Sequence, residues 1–370
     1  MNIYIVDYLG VHCGMHYYNE AFKKNIGIIP EVKVSILSNY SERSGSPPFF
    51  VNQYKGTKIR KIGCLFLNLL RLSRFVHNHR EDCFIYLTYG NKIDPPFLQI
   101  IAKAPHHAID IHEAIAQYVD NNQHLKSKLR KIYTKRICTV IVHSQRTDDF
   151  LDEYGYQGLR LHVPHFKYSF SKTYDEAKLS PEILTARNEE RVNILFFGNI
   201  TYDKGIDLLI ETVNNLPEIT RKRLNIIIAG KDFDGAVHRN TIMDSKIYRL
   251  FLRHIEDDEL IYLYEHTDYV ILPYRKTSQS GILEMAFYFR KPILASDIPY
   301  FRKMLTEFPS FGELLGNDVI AYAKVLTEII EKHETKEYFL DTDYDRYTHR
   351  IEIIDFIAEF AKWIKRQQSF

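Results

Sequence analysis

Along this chain, short runs of β-branched and aromatic residues alternate with longer stretches in which apolar residues recur every three or four positions. In the first half, NIYIVDY (2–8), VKVSIL (32–37), CFIYLTY (83–89), HHAIDI (106–111) and TVIVHS (139–144) predict strands. Between them, HYYNEAFKK (16–24), KIGCLFLNLLRLSRFV (61–76) and LKSKLRKIYTKR (125–136) predict helices. This alternation is that of βαβ units around a mostly parallel sheet, the α/β class.

The pattern then restarts. Residues 167–190 are polar with little apolar period and read as a crossing between domains. Behind them VNILFFG (192–198), LNIIIAG (224–230), YRLFLR (248–253), YVILPY (269–274) and KPILAS (291–296) predict a second set of strands. With 370 residues the chain is long for one core and comfortable for two. Two βαβ domains facing a central cleft are expected, at 1–170 and 171–350. The tail has apolar residues at 353, 354, 357, 360, 361 and 364, one face of an amphipathic helix over 351–370 expected to return to the first domain.

Composition narrows the setting. A net charge of +2 and the lack of any base-reading motif argue against a nucleic-acid partner. Cys13, Cys64, Cys83 and Cys138 are widely spaced without a CxxC, so they read as reduced thiols of a cytoplasmic protein. The start MNIYIVDYLG lacks a signal-peptide pattern, and the longest apolar run, 62–72, is broken by Asn68 and Arg71.

Open α/β sheets bind ligands beyond the carboxyl ends of their strands, where helix N-termini bring backbone donors. Four strand ends here carry chemistry. LGVHCGMHYY (9–18) offers Gly10 and Gly14 for a tight backbone before a helix, and a plain βα turn reads equally well. In FFGNITYDKGIDLLI (196–210), Gly198 ends a buried strand and Lys204 opposes the dipole of the following helix, which an anionic ligand would explain. In PYRKTSQSGILEMAF (273–287), Ser280 and Gly281 open a helix mouth suited to phosphate, and Glu284 one turn inside can accept from a vicinal diol. His112 follows HHAIDI at its carboxyl end. With His106 and His107 it could suggest a metal, but those two point to opposite faces and no carboxylate spacing completes a site, so none is expected. Asp232-Phe233-Asp234, a possible cation-binding pattern, reads as a turn.

These motifs, in order, resemble the retaining glycosyltransferases of family 4. The resemblance rests on VNILFFGNITYDKGIDLLIETVNNL, LNIIIAG, HIEDDELIYLYEHTDYVILPY, SQSGILEMAF and KPILASDIP, over most of 192–299, with DIHEA and VIVHSQRTDDFLDEYG as looser matches. It implies the GT-B fold, two Rossmann-like domains with the C-terminal helix returning to the first. It implies transfer of a hexose-type sugar, with retention, from a UDP- or GDP-sugar to a glycan or lipid-linked acceptor in polysaccharide or lipopolysaccharide synthesis. No metal or other cofactor is implied. Lys204 would pair with the donor diphosphate, the Ser280 and Gly281 amides would cradle it, Glu284 would hold the ribose, and His112 would touch the transferred sugar. Arg253 and His254 would lie near the base. Gly14, Gly198, Asn199, Lys276, Gln279 and Ile282 complete the implied donor side. Three positions depart from the family pattern: Lys276 stands where a glutamate is usual, Asn199 where an arginine is usual, and His165-Phe166 where Asn-Gly is common. Lys276 would then supply the charge that Asn199 lacks. A catalytically silent partner subunit and a sugar-nucleotide epimerase remain alternative readings.

Between 51 and 80 the chain has Lys55, Lys58, Arg60, Lys61, Arg71, Arg74 and Arg80 and no acidic residue. Apolar residues interleave with them. Residues 54–80 therefore suit peripheral contact with an anionic membrane at its inner face, and a core-packed helix with a solvated basic face suits them slightly better.

Overall fold

The computed structural model describes all residues except 42–46, 55, 113–121, 171–172, 241, 278, 317, 334–335 and 369–370. Lys55, Glu113, Ala114 and Ser278 of the motifs above lie outside the described residues. The chain divides into two units, Met1–Phe166 with Arg350–Phe370, and Lys167–His349.

The first unit holds six parallel strands, β1 (Asn2–Asp7), β2 (Lys33–Ser38), β3 (Cys83–Thr88), β4 (His106–Ile111), β5 (Thr139–Val142) and β6 (Leu159–His162), in the order β2-β1-β3-β4-β5-β6. Ile5 pairs with Ile36 on one side and Ile85 on the other. Its helices are α1 (Met15–Ile26), α2 (Lys58–Asn78), α3 (Asp94–Ile101), α4 (Gln123–Arg136) and α5 (Gln145–Tyr154). All six residues of β3 are buried, as expected of a strand covered on both faces. This strand is a nearly continuous apolar run for that reason, and alternation fails to mark it.

The second unit repeats the plan. Its strands β7 (Val192–Phe197), β8 (Leu224–Ala229), β9 (Tyr248–Phe251), β10 (Tyr269–Leu272), β11 (Ile293–Ser296) and β12 (Gly312–Leu315) are ordered β12-β11-β10-β7-β8-β9. Around them run α6 (Pro181–Leu184), α7 (Ile206–Asn215), α8 (Glu218–Arg221), α9 (Ala236–Arg239), α10 (Asp257–Glu265), α11 (Gly281–Tyr288), α12 (Pro299–Glu307), α13 (Val319–Glu331) and α14 (Asp341–Thr348). Ile194, Ile226, Ile271 and Leu294 form its central layer with Leu209, Val213, Tyr322 and Leu326 of the covering helices.

The tail helix, α15 (Ile351–Gln368), belongs to the first unit. Phe356 packs 5.8 Å from Phe166 and 6.2 Å from Phe22, and Trp363 Nε1 donates to Thr139 Oγ1 at 3.1 Å. Its buried stripe is Phe356, Phe360, Trp363 and Ile364, so the face is rotated from the expected one and Ile354 is exposed.

The segment 167–190 is not a bare crossing. It packs into the second unit, with Tyr168, Leu179, Ile183 and Ala186 buried and Ser180 Oγ donating to Glu259 Oε1 at 2.8 Å. Four apolar anchors spaced through a polar stretch leave no period to read. The edge strands β6 and β12, four residues each, escape sequence reading for the same reason.

Candidate functional site

In the second sheet, β7 pairs with β8 on one side and with β10 on the other, Ile194 facing Tyr269. Strand order reverses between β7 and β10. A topological switch point opens a crevice beyond the carboxyl ends of the two strands, because the chains leaving them turn away in opposite directions. The loops after Phe197 and Leu272 are the two that the sequence marks.

After β7 the chain passes Gly198 at φ 103°, exposed Asn199 and a tight turn at Tyr202–Lys204, and enters α7 through Gly205 at φ 65°. A Cβ on Gly205 would stand 1.9 Å from the Pro273 carbonyl oxygen, so only glycine lets the β7 loop approach the β10 loop this closely. Arg275 then clamps the two. Its amide donates to Asp203 O at 2.9 Å, and its guanidinium donates to Tyr202 O at 2.6 Å and to both oxygens of Asp207 at 2.9 and 2.6 Å. Burial alone would raise the Asp207 carboxyl, but the Arg275 hydrogen bonds and charge outweigh it and hold the group below its ordinary value.

Two further cations lie on these loops. Lys204 Nζ sits 3.7 Å from the centre of the Tyr274 ring. Lys276 Nζ is 3.6 Å from Asp203 Oδ1 and its side chain is half exposed. Sequence reading found Lys204 and Lys276 and missed Arg275, Tyr274 and Asp207. Adjacency to Lys276 in a strand-end loop was the one available signal for Arg275.

The mouth of α11 is capped by Ser280, whose hydroxyl and carbonyl both accept from the Leu283 amide. The Glu284 amide also returns to Ser280 O, at 3.3 Å. That leaves the Gly281 and Ile282 amides to point out along the helix axis. A Cβ on Gly198 would meet Ile282 Cδ1 at 3.1 Å, which puts the end of β7 against the first turn of α11. Gly281 has the Tyr168 hydroxyl 2.8 Å from where its Cβ would be, so a side chain there would have to displace the Tyr168 ring. Thr277 Oγ1 donates to the carbonyl of half-buried Gln279 at 2.5 Å. Glu284 is fully buried and accepts from the Tyr347 hydroxyl.

Arg253 lies beyond β9 and is engaged by Glu259, with 2.6 and 2.7 Å contacts to the carboxylate and 2.9 Å to Ser180 Oγ. Burial would raise Glu259, yet the hydrogen bonds from Arg253 and Ser180 push it down to about 2. His254 beside it is exposed. Asp232 accepts from the Ala236 and Val237 amides, and Asp234 accepts from the Tyr202 amide. These aspartates serve the loop.

In the first unit, Gly14 starts α1 at φ 71° with open space around it. His112 follows β4 and its amide donates to Thr88 O at 3.2 Å. Its ring meets Tyr18 edge-on at 4.2 Å, and its Nε2 is 3.4 Å from Asp110 Oδ1. Asp110 also meets His143 Nε2 at 2.7 Å and accepts from the Tyr18 hydroxyl at 2.6 Å. Burial drives His112 down to about 4 against the pull of Asp110. Asp110 is itself held below its ordinary value: burial raises it, and the charges of His143 and His112 more than offset that. Asp110, His112 and His143 form the one grouping among the described residues whose ligand atoms, all within 4.8 Å, could hold a metal. Both Asp110 oxygens already have hydrogen-bond partners. Of the three histidines weighed from sequence, His112 lies in this grouping, where Asp110 supplies a carboxylate that the sequence reading did not count; His106 and His107 stay apart, His107 tied to Ala104 O and His106 to Gln367. Asp110 and His112 share a strand face two residues apart, a signal present in the sequence, whereas His143 comes from another strand.

Residues 184–345 match the family model described as glycosyl transferases group 1. The match lies within the second unit, Lys167–His349. The matched span runs from α6 into α14 and includes the whole β7–β10 clamp and the mouth of α11. Solved structures similar along the whole chain include HepE from Anabaena in complex with UDP-glucose, at 14% identity and TM-score 0.66, covering 99% of this chain and 100% of that one. Sucrose-phosphate synthase from Thermosynechococcus elongatus aligns at 12% identity and TM-score 0.66, covering 99% and 98%. WaaG, a glycosyltransferase involved in lipopolysaccharide biosynthesis, aligns at 12% and 0.65, covering 98% of each chain. These likenesses give the fold, and the two six-stranded parallel sheets are those of GT-B glycosyltransferases. No curated protein matches the chain in sequence.

Proposed function

We propose that this group 1 glycosyltransferase moves a hexose-type sugar, with retention of configuration, from a UDP- or GDP-sugar to a hydroxyl of a glycan or lipid-linked acceptor. The observation that carries the reading is the clamp at the switch point: Lys204, the Gly281 and Ile282 amides and Lys276 converge on loops that Arg275 and Gly205 lock together. Such a site suits a diphosphate, whose charge grows as the sugar leaves and must be met by preorganised donors. Lys204 meets it as a point charge and the helix mouth as oriented dipoles. No cofactor is assigned.

In the proposed step the acceptor oxygen bonds to the anomeric carbon on the face from which the diphosphate departs. The bond from that carbon to the phosphate oxygen breaks, and the departing oxygen takes the acceptor's proton. Glu284 is assigned to the ribose, with Tyr347 holding its carboxylate meanwhile. His112, kept neutral by burial, is assigned to hydrogen bonding with the transferred sugar. Lys276 is assigned the charge that Asn199 does not supply. The HepE complex with UDP-glucose supports a uridine donor, and the role printed for WaaG supports a place in cell-surface glycan synthesis. Unpaired Cys64, Cys83 and Cys138 fit a cytoplasmic setting.

A thermal-shift screen against UDP, GDP, ADP, CMP and their common sugars tests this, since a ligand of the native state raises Tm in proportion to affinity and concentration. One nucleotide diphosphate should shift the wild type and not Lys204→Ala. No shift with any nucleotide would instead favour a silent partner subunit.

A further inference from the structure

Helix α2 is held to the first unit by a narrow stripe. Of its 21 residues only Asn68, Leu72 and Val76 are buried, and residues 58–63 are exposed on every side. Yet the helix is rich in large apolar residues. Ile59, Ile62, Phe66, Leu67 and Leu70 are all exposed, Ile59 at 85% and Phe66 at 63%, and no other described element carries more than two such residues. At about 100° per residue, Ile59, Ile62, Phe66 and Leu70 fall within an arc of roughly 80°, about 120° away from the buried stripe. Core packing therefore does not explain them, and the reading of 54–80 as a core-packed helix fails over the first half of α2.

The charges around this stripe share one sign. Arg60, Arg71 and Arg74 flank it, Lys58 and Lys61 stand at its exposed end, and no acidic residue occurs from 51 to 80. At the other end of α2 a groove of about 360 Å³ lies against α3, lined by Arg74, His77, Arg80 and Lys103 among others. An apolar ridge beside a cationic rim and a cationic groove match the two layers of an anionic bilayer, acyl chains and phosphate headgroups. A protein partner would need an apolar groove rimmed throughout by acidic groups. A second copy of this chain would bring cation against cation, at a cost in repulsion.

We infer that α2 is a membrane-docking helix that seats the first unit on an anionic phospholipid surface, with Ile59, Ile62, Phe66 and Leu70 entering the interface. No helix among the described residues is long and apolar enough to cross a membrane, so the attachment is along the surface. The inference does not depend on which sugar is transferred.

Co-sedimentation of the full chain with vesicles of equal parts phosphatidylglycerol and phosphatidylcholine tests it. The wild type should bind these at least tenfold more tightly than pure phosphatidylcholine vesicles, and lose most of that binding in 0.5 M salt (roughly a 4 Å screening length). Ile62→Ser with Phe66→Ser should weaken binding tenfold or more, and Lys61→Gln with Arg74→Gln by a similar factor, at about fivefold per charge. These residues are exposed, so circular dichroism melts of the variants should match the wild type. Binding that ignores lipid charge, or that survives both double substitutions, overturns the inference. So does a concentration-dependent dimer in sedimentation velocity that Phe66→Ser abolishes, because the face would then belong to a second copy.

Discussion

Lys204 Nζ stands 3.7 Å from the centre of the Tyr274 ring, joining two residues 70 positions apart that leave neighbouring strands β7 and β10. The ring faces the ammonium with its electron-rich surface and limits where a flexible four-carbon chain can place its charge. A lysine fixed before the ligand arrives loses less entropy on binding.

Lys204→Ala should weaken nucleotide diphosphate binding about tenfold to hundredfold, the value of one charged hydrogen bond. Tyr274→Leu should weaken it by only about two- to fivefold, the lower range for a cation–π contact, since Lys204 is only part-buried over the buried ring. Isothermal titration of both variants with the nucleotide found by the screen gives the two numbers. Equal affinity in Lys204→Ala and wild type would remove Lys204 from the site.

Arg275 is expected to matter through its shape as well as its charge. It holds Asp207 with two parallel hydrogen bonds and Tyr202 O with a third. Arg275→Lys keeps the charge but loses the fork, so it should behave more like Arg275→Gln than like wild type. The pair is about one-third exposed, so a loss of about 1–2 kcal/mol in urea unfolding is expected. Nucleotide affinity should fall with it. Full stability in Arg275→Lys would show that charge alone holds the loops.

Gly205 and Gly235 separate backbone strain from close approach. Both have φ near 65°, but only Gly205 has a carbonyl oxygen where a Cβ would go. Gly235→Ala should cost about 1–2 kcal/mol, the left-handed penalty by itself. Gly205→Ala should cost about 3 kcal/mol or more, since the loops must also part. Chemical denaturation of the two variants side by side checks the difference.

Acid should destabilise the first unit through His112. Its folded value of about 4 lies below the ordinary 6.5, so between those pH values the unfolded chain takes up a proton that the folded chain refuses. Stability is therefore fully present above pH 6.5 and falls as pH drops toward 4. Between pH 7 and 4.5 the loss from this residue should be of the order of 2 kcal/mol. Asp110, also held low, adds its own loss only below its ordinary 3.8. In His112→Asn the slope of unfolding free energy against pH over this window should flatten; an unchanged slope assigns the acid sensitivity elsewhere.

How far the sequence carried depends on the range of the forces involved. Period and residue type located ten of the twelve strands among the described residues, because a strand covered on both faces is apolar over most of its length. Glycines and a lysine at strand ends located the loops of the candidate site, because backbone freedom and a charge set against a helix dipole are local properties. The resemblance read from those motifs lies in the part of the chain, 184–345, that matches the group 1 glycosyl transferase model.

What brings those loops together was not local. Arg275 finds Asp207 across 68 residues, His143 finds Asp110 across 33, and Tyr347 finds Glu284 across 63. Each pairing exists because strand order places their elements side by side, and strand order leaves no mark within any single motif. The same holds for α2. Its sequence fixed an amphipathic helix with a basic face, but two apolar stripes can be told apart only once one of them is covered. The fold buries Asn68, Leu72 and Val76 and leaves Ile59, Ile62 and Phe66 in water. Burial is a sum over neighbours distant in the chain, and that sum is decided only when the chain has folded.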